Sequence, residues 1–395
     1  MSIASLAETR RRSRPVPQDH VALVLALVAL PAASFGAFLS VAPNRLADGR
    51  SLTLWHIGFS ATVIVFALLT LLFIAAFIRD KTRRASLLFA SGAGLLVCLL
   101  LIAGIAAEAR LDPQEPARRI SLGSAFWILF GAGVLACFQG LQRATRLWKA
   151  ALPLALTAAA VAIINSGKLN SLSLAQEFYA QRATFGIELL RHVSLVAVAV
   201  LLATLGAVPL VLTAAYRPKA RATIFTTLNL LQTIPSIALF GLLIAPLSFI
   251  AAHVPLAREI GIGGIGAAPA LIALVLYGLL PLVRSADAGL RNVPAAVRDS
   301  ARGMGMTPRE IFRKVDLPLA LPALISGLRV VVVQSIGLAI VAALIGAGGL
   351  GTFVFQGIGE YALDLVLVGA LPTILLALGA DALFQIVLAN LRSRP

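Results

Sequence analysis

Charge is scarce in this 395-residue chain. Asp, Glu, Lys and Arg make up 13% of it, against about a quarter in soluble globular domains. So low a value, with 59% hydrophobic residues and a mean hydropathy of +0.94, excludes an ordinary soluble domain. Cysteine is almost missing. The two present, Cys98 and Cys137, lie inside apolar runs and read as small buried hydrophobes rather than redox or metal ligands. The four histidines, His20, His56, His192 and His253, fall in separate segments without metal-ligand spacing. No Ser/His/Asp set, Cys/His set or carboxylate pair can be assembled, so no catalytic residue and no metal site is assigned. A G-x-x-x-x-G-K-[ST] loop is also lacking, so the chain offers no recognisable cradle for ATP phosphates. No internal repeat is visible.

Long uncharged runs are what the chain has. They are Val21–Val41, Ile57–Ile78, Ala85–Ala107, Ile120–Gln142, Ala150–Gly167, Val193–Tyr216, Ala222–Ser248, Ile260–Val283, Val330–Gly359 and Leu365–Ala380. A helix crosses the hydrocarbon core with about 20 apolar residues. The short alternating segments of a membrane barrel are missing. The expectation is an all-α polytopic membrane protein with about ten transmembrane helices. The run at the N-terminus follows an Arg-rich stretch, but no small-residue cleavage site follows it, so a retained first helix is expected rather than a signal peptide.

The net charge of +16 would suggest nucleic acid in a soluble protein, yet no basic stripe is interleaved with aromatics. Its distribution gives orientation instead. With the N-terminus in the cytoplasm, 24 of the 33 Lys and Arg residues fall in inner segments and nine in outer ones. The positive-inside rule then puts both termini in the cytoplasm. The chain divides into a basic tail (1–20), an N-terminal membrane region of about five helices (21–165), a polar amphipathic connector (166–192) and a C-terminal membrane region (193–395).

The polar loop 284–325 contains the most structured stretch, Asp299–Pro318 (DSARGMGMTPREIFRKVDLP), with seven charges in twenty residues. Pro294 suits a first helical turn. Gly303 and Gly305 suit left-handed helix stops. Thr307, Pro308 and Glu310 form an N-cap, a first helical position and a capping box. A second helix is expected to present Ile311, Phe312 and Val315 and to end before Pro318. Two short helices broken by a glycine turn on the cytoplasmic side suggest a docking surface.

Two stretches fit G-x-G-x-x-G, Gly261–Gly266 and Gly346–Gly351. Both flank membrane runs on the outer side and lack a dinucleotide fold's context, so each reads as a turn or a close backbone approach. Gln232, Thr233, Pro235 and Ser236 sit in the run Ala222–Ser248, and Gln334 and Ser335 in Val330–Gly359. They either line a pathway or pack helices together. Asp381 is either a working intramembrane acid or an acid paired near the cytoplasmic end.

Asp299–Pro318 resembles the EAA loop of ABC-importer permeases, with small residues after an acid, then Gly305 and an aliphatic-x-Leu-Pro ending at Val315, Leu317 and Pro318. Asp299 stands for the usual Glu and Ser300 for the usual first Ala. With LQTIPSIALFG, YGLLPLVRSADAGL and IGAGGLG around it, the chain is similar over about Glu188–Leu391 to the osmoprotectant branch, the glycine betaine/carnitine/choline permeases. The long N-terminal region is similar to an extended variant of that branch. The resemblance implies a type I ABC importer permease core in the C-terminal half and a transport subunit that is not itself an enzyme. It implies ATPase coupling through Asp299, Ser300, Ala301, Gly303, Gly305, Phe312, Val315, Leu317 and Pro318. It further implies no cofactor in this chain, with ATP and Mg on a separate cytoplasmic ATPase. A periplasmic or lipid-anchored solute-binding protein, a second permease subunit, identical or related, and a bacterial inner-membrane location complete it. Methionine or another amino acid is the alternative solute. A secondary carrier driven by ion gradients is the rival from another class.

Overall fold

A computed structural model describes residues 17–392 apart from 46, 112–113, 116 and 143–145. The basic tail assigned to residues 1–20 therefore lies outside the described residues up to position 16, as do positions 143 and 394 of the inner charge set. Among the described residues, seven helices are long and apolar enough to cross a membrane and three more are apolar but shorter. Each of the ten apolar runs holds at least one helix. The contacts divide the chain between Tyr179 and Ala180 into two units.

In the first unit α4 (Lys81–Glu108) and α5 (Ser124–Leu141) are long enough to span, while α1 (His20–Phe35), α3 (Phe59–Ala75) and α6 (Arg146–Asn165) are the shorter apolar helices, with a one-turn α2 (Leu54–Ile57). Ala22, Ala26, Ala29 and Ala33 recur at helical spacing on α1 and are fully buried. Lipid tails are as apolar as leucine, so helices associate where small side chains let backbones approach. The α4–α5 contact shows this most clearly. A Cβ on Gly92 would lie 2.6 Å from the Gly133 carbonyl oxygen, and one on Gly140 2.7 Å from that of Ala85. Cys137 is buried in the same seam, and both cysteines are free thiols.

A three-stranded antiparallel sheet interrupts the helices, with β1 (Leu39–Ala42) between β2 (Arg50–Leu52) and β3 (Arg119–Leu122). The sequence reading did not foresee it. Its strands are three or four residues long, and Val41 and Ile120 sit at the ends of apolar runs, so no alternation is long enough to register. Arg45 and Arg119 converge on the buried Glu177 of α7 (Ser173–Ala180).

The second unit is built on α8 (Arg182–Tyr216), α12 (Ala267–Arg291), α15 (Leu317–Val341) and α17 (Leu363–Arg392). The last residues of the 166–192 segment are no separate connector, since α8 runs without a break from Arg182. Gly278 marks the junction of three helices, because a Cβ there would lie 3.0 Å from Val331 of α15 and 3.1 Å from Ala203 of α8.

Two apolar runs divide. The run Ala222–Ser248 becomes α9 (Pro218–Thr233) and α10 (Ser236–His253), and the short α11 (Pro255–Glu259) follows. The run breaks at its proline. Residues before proline avoid the helical region, and Ile234 is extended (ψ 126°) with Pro235 as the cap of α10. The run Val330–Gly359 stops at Gly346, whose φ of +78° is left-handed, and resumes as α16 (Gly351–Gly359). The two glycine loops meet, with the Gly266 N–H donating to the Ile345 carbonyl at 2.7 Å. Both are therefore turns and close backbone approaches. A Cβ on Gly351 would fall 2.0 Å from the Ile340 carbonyl oxygen. Gly351→Ala is thus expected to destabilise the purified protein by about 1–3 kcal/mol, the cost of overpacking. Thermal unfolding in detergent checks it, and an unchanged midpoint would refute the contact.

Candidate functional site

The polar loop folds as a helical hairpin carried by α12 and α15. Helix α12 runs through Arg291, further than the apolar pattern required, and its last turns are anchored by charge. Asp287, buried, accepts from Arg221 of α9 at 2.7 Å and 3.0 Å and from Arg291 at 3.2 Å. Val293 is buried and Pro294 is extended, so the chain turns there and α13 (Ala295–Gly303) begins. Pro294 stands one position before the helix, as its N-cap.

Helix α13 ends in a Schellman motif. Gly305 has φ +81°, the Met306 N–H bonds the Ala301 carbonyl at 3.1 Å, and the Gly305 N–H bonds that of Arg302 at 2.9 Å. Gly305 alone is left-handed; Gly303 is the last helical residue. Two residues on, Thr307 caps α14 (Pro308–Ile311). Its backbone N–H donates to the Glu310 carboxylate at 3.0 Å, and the Glu310 N–H donates to its hydroxyl at 3.4 Å. One helix stop and one helix start, two residues apart, fix the angle of the hairpin.

The second helix does not end before Pro318. Residues Phe312–Asp316 form a π-helical turn leading directly into α15, in which Pro318 falls in the first turn. The Leu317 N–H bonds the Phe312 carbonyl five residues back. This wider turn absorbs the proline, whose missing N–H would interrupt an α-helix at that point. Helix and loop are consequently one continuous rod from Pro308 to Ile345.

The structure sorts the candidate loop residues into two kinds. Asp299, Ser300, Gly303 and Gly305 are exposed, as are Leu317 and Pro318 further on. Ala301 is buried and anchors α13, while Phe312 and Val315 are half-buried. Three features escaped sequence reasoning. Met304, between the two glycines, is 71% exposed at the tip. Arg298 binds Asp316 at 2.7 Å and the Leu290 carbonyl at 2.6 Å, tying α13 to both neighbouring membrane helices. A groove of about 610 Å³ lies behind the hairpin, lined among others by Arg291, Arg298, Met306 and Phe312. Two opposite charges eighteen residues apart in one loop were the available signal for the ion pair.

The second group of candidates is only partly brought together. The Gln232 side chain donates to the Tyr277 carbonyl of α12 at 2.9 Å, and the Tyr277 hydroxyl donates to the Ile234 carbonyl. Thr233 and Pro235 are exposed at the α9–α10 break, and Ser236 opens α10. Gln334 and Ser335 lie on α15, Ser335 buried in the helix packing, and no hydrogen bond among the described residues joins them to the break. Asp381 of α17 pairs with Arg329 of α15 at 2.5 Å and with Gln385 at 2.7 Å. Of its two readings the structure takes the paired one.

A buried polar group absent from the sequence reading sits near the start of α8. The Glu188 carboxylate accepts the Gly349 N–H at 2.5 Å and pairs with Arg191 at 2.9 Å. His192 is wholly buried against the Ile336 carbonyl at 3.1 Å. Gly348 and Gly349 are both left-handed, and a Cβ on either would press on Arg191 or His192. The glycine loop is thereby clasped onto α8. Among the described residues no cluster of His, Cys, Asp and Glu could hold a metal ion.

Comparison with known proteins places both halves. Residues 17–175 match the N-terminal domain of the ABC transporter permease YehY, and residues 207–393 match the binding-protein-dependent transport system inner membrane component. The osmoprotectant import permease protein OsmW of Salmonella typhimurium is 41% identical over 195 residues, 49% of this chain and 86% of that protein. The choline transport system permease protein OpuBB of Bacillus subtilis is 36% identical over 190 residues, 48% of this chain and 80% of that one. Among solved structures, an inward-facing MetNI methionine ABC transporter is 26% identical, covers 51% of this chain and 93% of its own, and has a TM-score of 0.42. A helical hairpin between two membrane rods, in a half-chain this similar to known permeases, identifies the molecule: the chain belongs to the binding-protein-dependent transport system inner membrane component family and is a multi-pass ABC-transporter permease.

Proposed function

We propose that this permease imports osmoprotectants that carry a trimethylammonium group, such as glycine betaine, choline or carnitine. The observation that carries the reading is the 41% identity to an osmoprotectant permease across the half of the chain that holds the hairpin. Relatives named for choline and for carnitine extend the same chemistry, and ergothioneine, named for another, bears that group too. The chain has three Trp and four Tyr, few for the aromatic cages that usually capture such cations. Selectivity therefore rests with a partner solute-binding protein outside the membrane.

The exposed face of α13 is the part built to meet a cytoplasmic ATPase. Its neighbours hold it rigidly, so displacement of α13 by a partner is passed to α12 and α15 rather than lost in a loose loop. ATP and Mg bind on that separate chain, which hydrolyses the nucleotide; this chain supplies the gate. The charge distribution orients both termini and the hairpin toward the cytoplasm of a bacterial inner membrane, and a second permease subunit, identical or related, completes the gate.

Reconstitution tests this reading. The permease is purified with candidate ATPase and binding-protein partners and placed in liposomes with a panel of betaines, choline, methionine and other amino acids. Solute-stimulated ATP hydrolysis and uptake are expected for the trimethylammonium compounds. Stimulation by methionine alone would move the substrate to the amino-acid reading, and uptake without the ATPase would favour a gradient-driven carrier. The Arg329–Asp381 pair speaks against that rival, because the acid is already neutralised by a neighbour and both side chains are about a third exposed. Asp381→Asn is expected to lower uptake by less than about ten-fold, the scale of one exposed ion pair, and to leave it insensitive to an imposed proton gradient. Uptake that follows the proton gradient in the unmodified protein, and loses that dependence in Asp381→Asn, would reverse the conclusion.

A further inference from the structure

We propose that the α9–α10 break opens onto a water-filled path through the permease, with Tyr277 as the residue that holds it open. The argument begins with hydrogen bonds. A helix that stops leaves its last carbonyls without partners. At the end of α9 the Thr233 hydroxyl takes the Leu230 carbonyl at 2.7 Å and the Ile234 N–H takes that of Leu231 at 3.3 Å. The Tyr277 hydroxyl takes the Ile234 carbonyl. Among the described residues no donor reaches the carbonyls of Gln232 and Thr233.

Their depth makes this matter. Tyr277 is near the middle of α12, a helix long and apolar enough to span the membrane. It lies ten residues before Asp287, about 15 Å along the helix axis, and Asp287 binds Arg221 at the foot of α9. The break is therefore well inside the bilayer. Irregular backbone at that depth is excluded from lipid, because hydrocarbon cannot replace the missing hydrogen bonds; it is found buried in protein or lining water. Thr233 and Pro235 are exposed on this chain. Open carbonyls present partial negative charge without a fixed counter-ion, which suits passage of a diffuse cation. Tyr277 touches no solute in this account. It is a positioning residue, bonded to the break from both sides, through its carbonyl to Gln232 and through its hydroxyl to Ile234.

The choice of solutes rests on the import reading; the path does not, and the test separates them. In the full chain with Cys98→Ala and Cys137→Ala, single cysteines are placed at Thr233 and, at an exposed apolar control position on α8, at Leu205. Membrane vesicles are treated with a membrane-impermeant methanethiosulfonate bearing a trimethylammonium group. Thr233→Cys is expected to react at least about ten-fold faster than Leu205→Cys, since thiol modification requires the thiolate in water. Ser236→Cys repeats the measurement where Thr233→Cys fails to insert. Adding Tyr277→Phe, which removes only the hydroxyl, is expected to slow the Thr233→Cys reaction at least about three-fold, because the freed Ile234 carbonyl no longer holds the break open. Reaction no faster than at Leu205 means that lipid or a second subunit covers the break and overturns the proposal. A Tyr277→Phe rate equal to or above that of the parent overturns the role of Tyr277. Fast labelling that neither choline nor glycine betaine slows leaves the path standing and counts against the solute class instead.

Discussion

Gly305→Val is expected to abolish coupling, cutting solute-stimulated ATP hydrolysis and uptake at least about ten-fold while the protein remains in the membrane. The reason is local. Gly305 has φ +81°, a region that costs an L-residue about 1–2 kcal/mol and a β-branched one more. No atom stands within 4 Å of where its Cβ would be, so the substitution strains the turn without disturbing packing. Relief of that strain breaks the two bonds that close α13, from Met306 to Ala301 and from Gly305 to Arg302. Thr307 then no longer starts α14 at its fixed angle. Asparagine tolerates left-handed backbone, so Gly305→Asn is expected to keep most of the coupled activity. The pair separates turn geometry from side-chain bulk. Normal transport by Gly305→Val, in a complex that still copurifies with its ATPase, would remove the hairpin from the coupling role.

The hairpin was legible because its signals are local. A left-handed glycine, a Thr-x-x-Glu box and a proline at the first helical position each act within one turn, and all three govern the backbone at Gly305, Thr307 and Pro308. The ten apolar runs were legible for the same reason, since hydropathy acts on each segment separately. What sequence reasoning missed depends on partners distant in the chain. Pro318 reads as a helix stop until the π turn at Phe312–Asp316 is known to absorb it. Pro235 lies inside one unbroken apolar run, yet the helix stops there and Tyr277, 42 positions on, bonds the broken end. Glu188 looked like part of a polar connector, and its partner is the Gly349 amide 161 residues away. Strands of three or four residues gave no period at all. Local rules therefore yield where helices start, while the polar bonds that join them emerge only in three dimensions.

Arg298→Ala is the second large effect expected, and it tests transmission rather than docking. Arg298 is the only described side chain of α13 bonded to both flanking membrane helices, through Leu290 at the end of α12 and Asp316 at the head of α15. Its removal leaves a mostly buried carboxylate and a backbone carbonyl without their donor. Hydrogen bonds to charged groups contribute about 1.5–3 kcal/mol each, so the closed hairpin is expected to lose about 2 kcal/mol or more, roughly thirty-fold in population. On the proposed docking, the ATPase should still bind, because the exposed Asp299 and Ser300 of α13 and Met304 just beyond its end are kept. Hydrolysis is thus expected to continue while uptake per ATP falls by about ten-fold or more. Lysine cannot replace the guanidinium, because one ammonium lacks the planar fork that meets two acceptors at once, so Arg298→Lys should recover only part of the loss. Exchanging the charges, Arg298→Asp with Asp316→Arg, restores the ion pair but not the bond to Leu290, and its uptake should fall between the single variants and the parent. If Arg298→Ala instead lowers ATPase binding and leaves the uptake-to-hydrolysis ratio intact, α13 acts as a docking peg alone, and motion reaches α12 and α15 by another route.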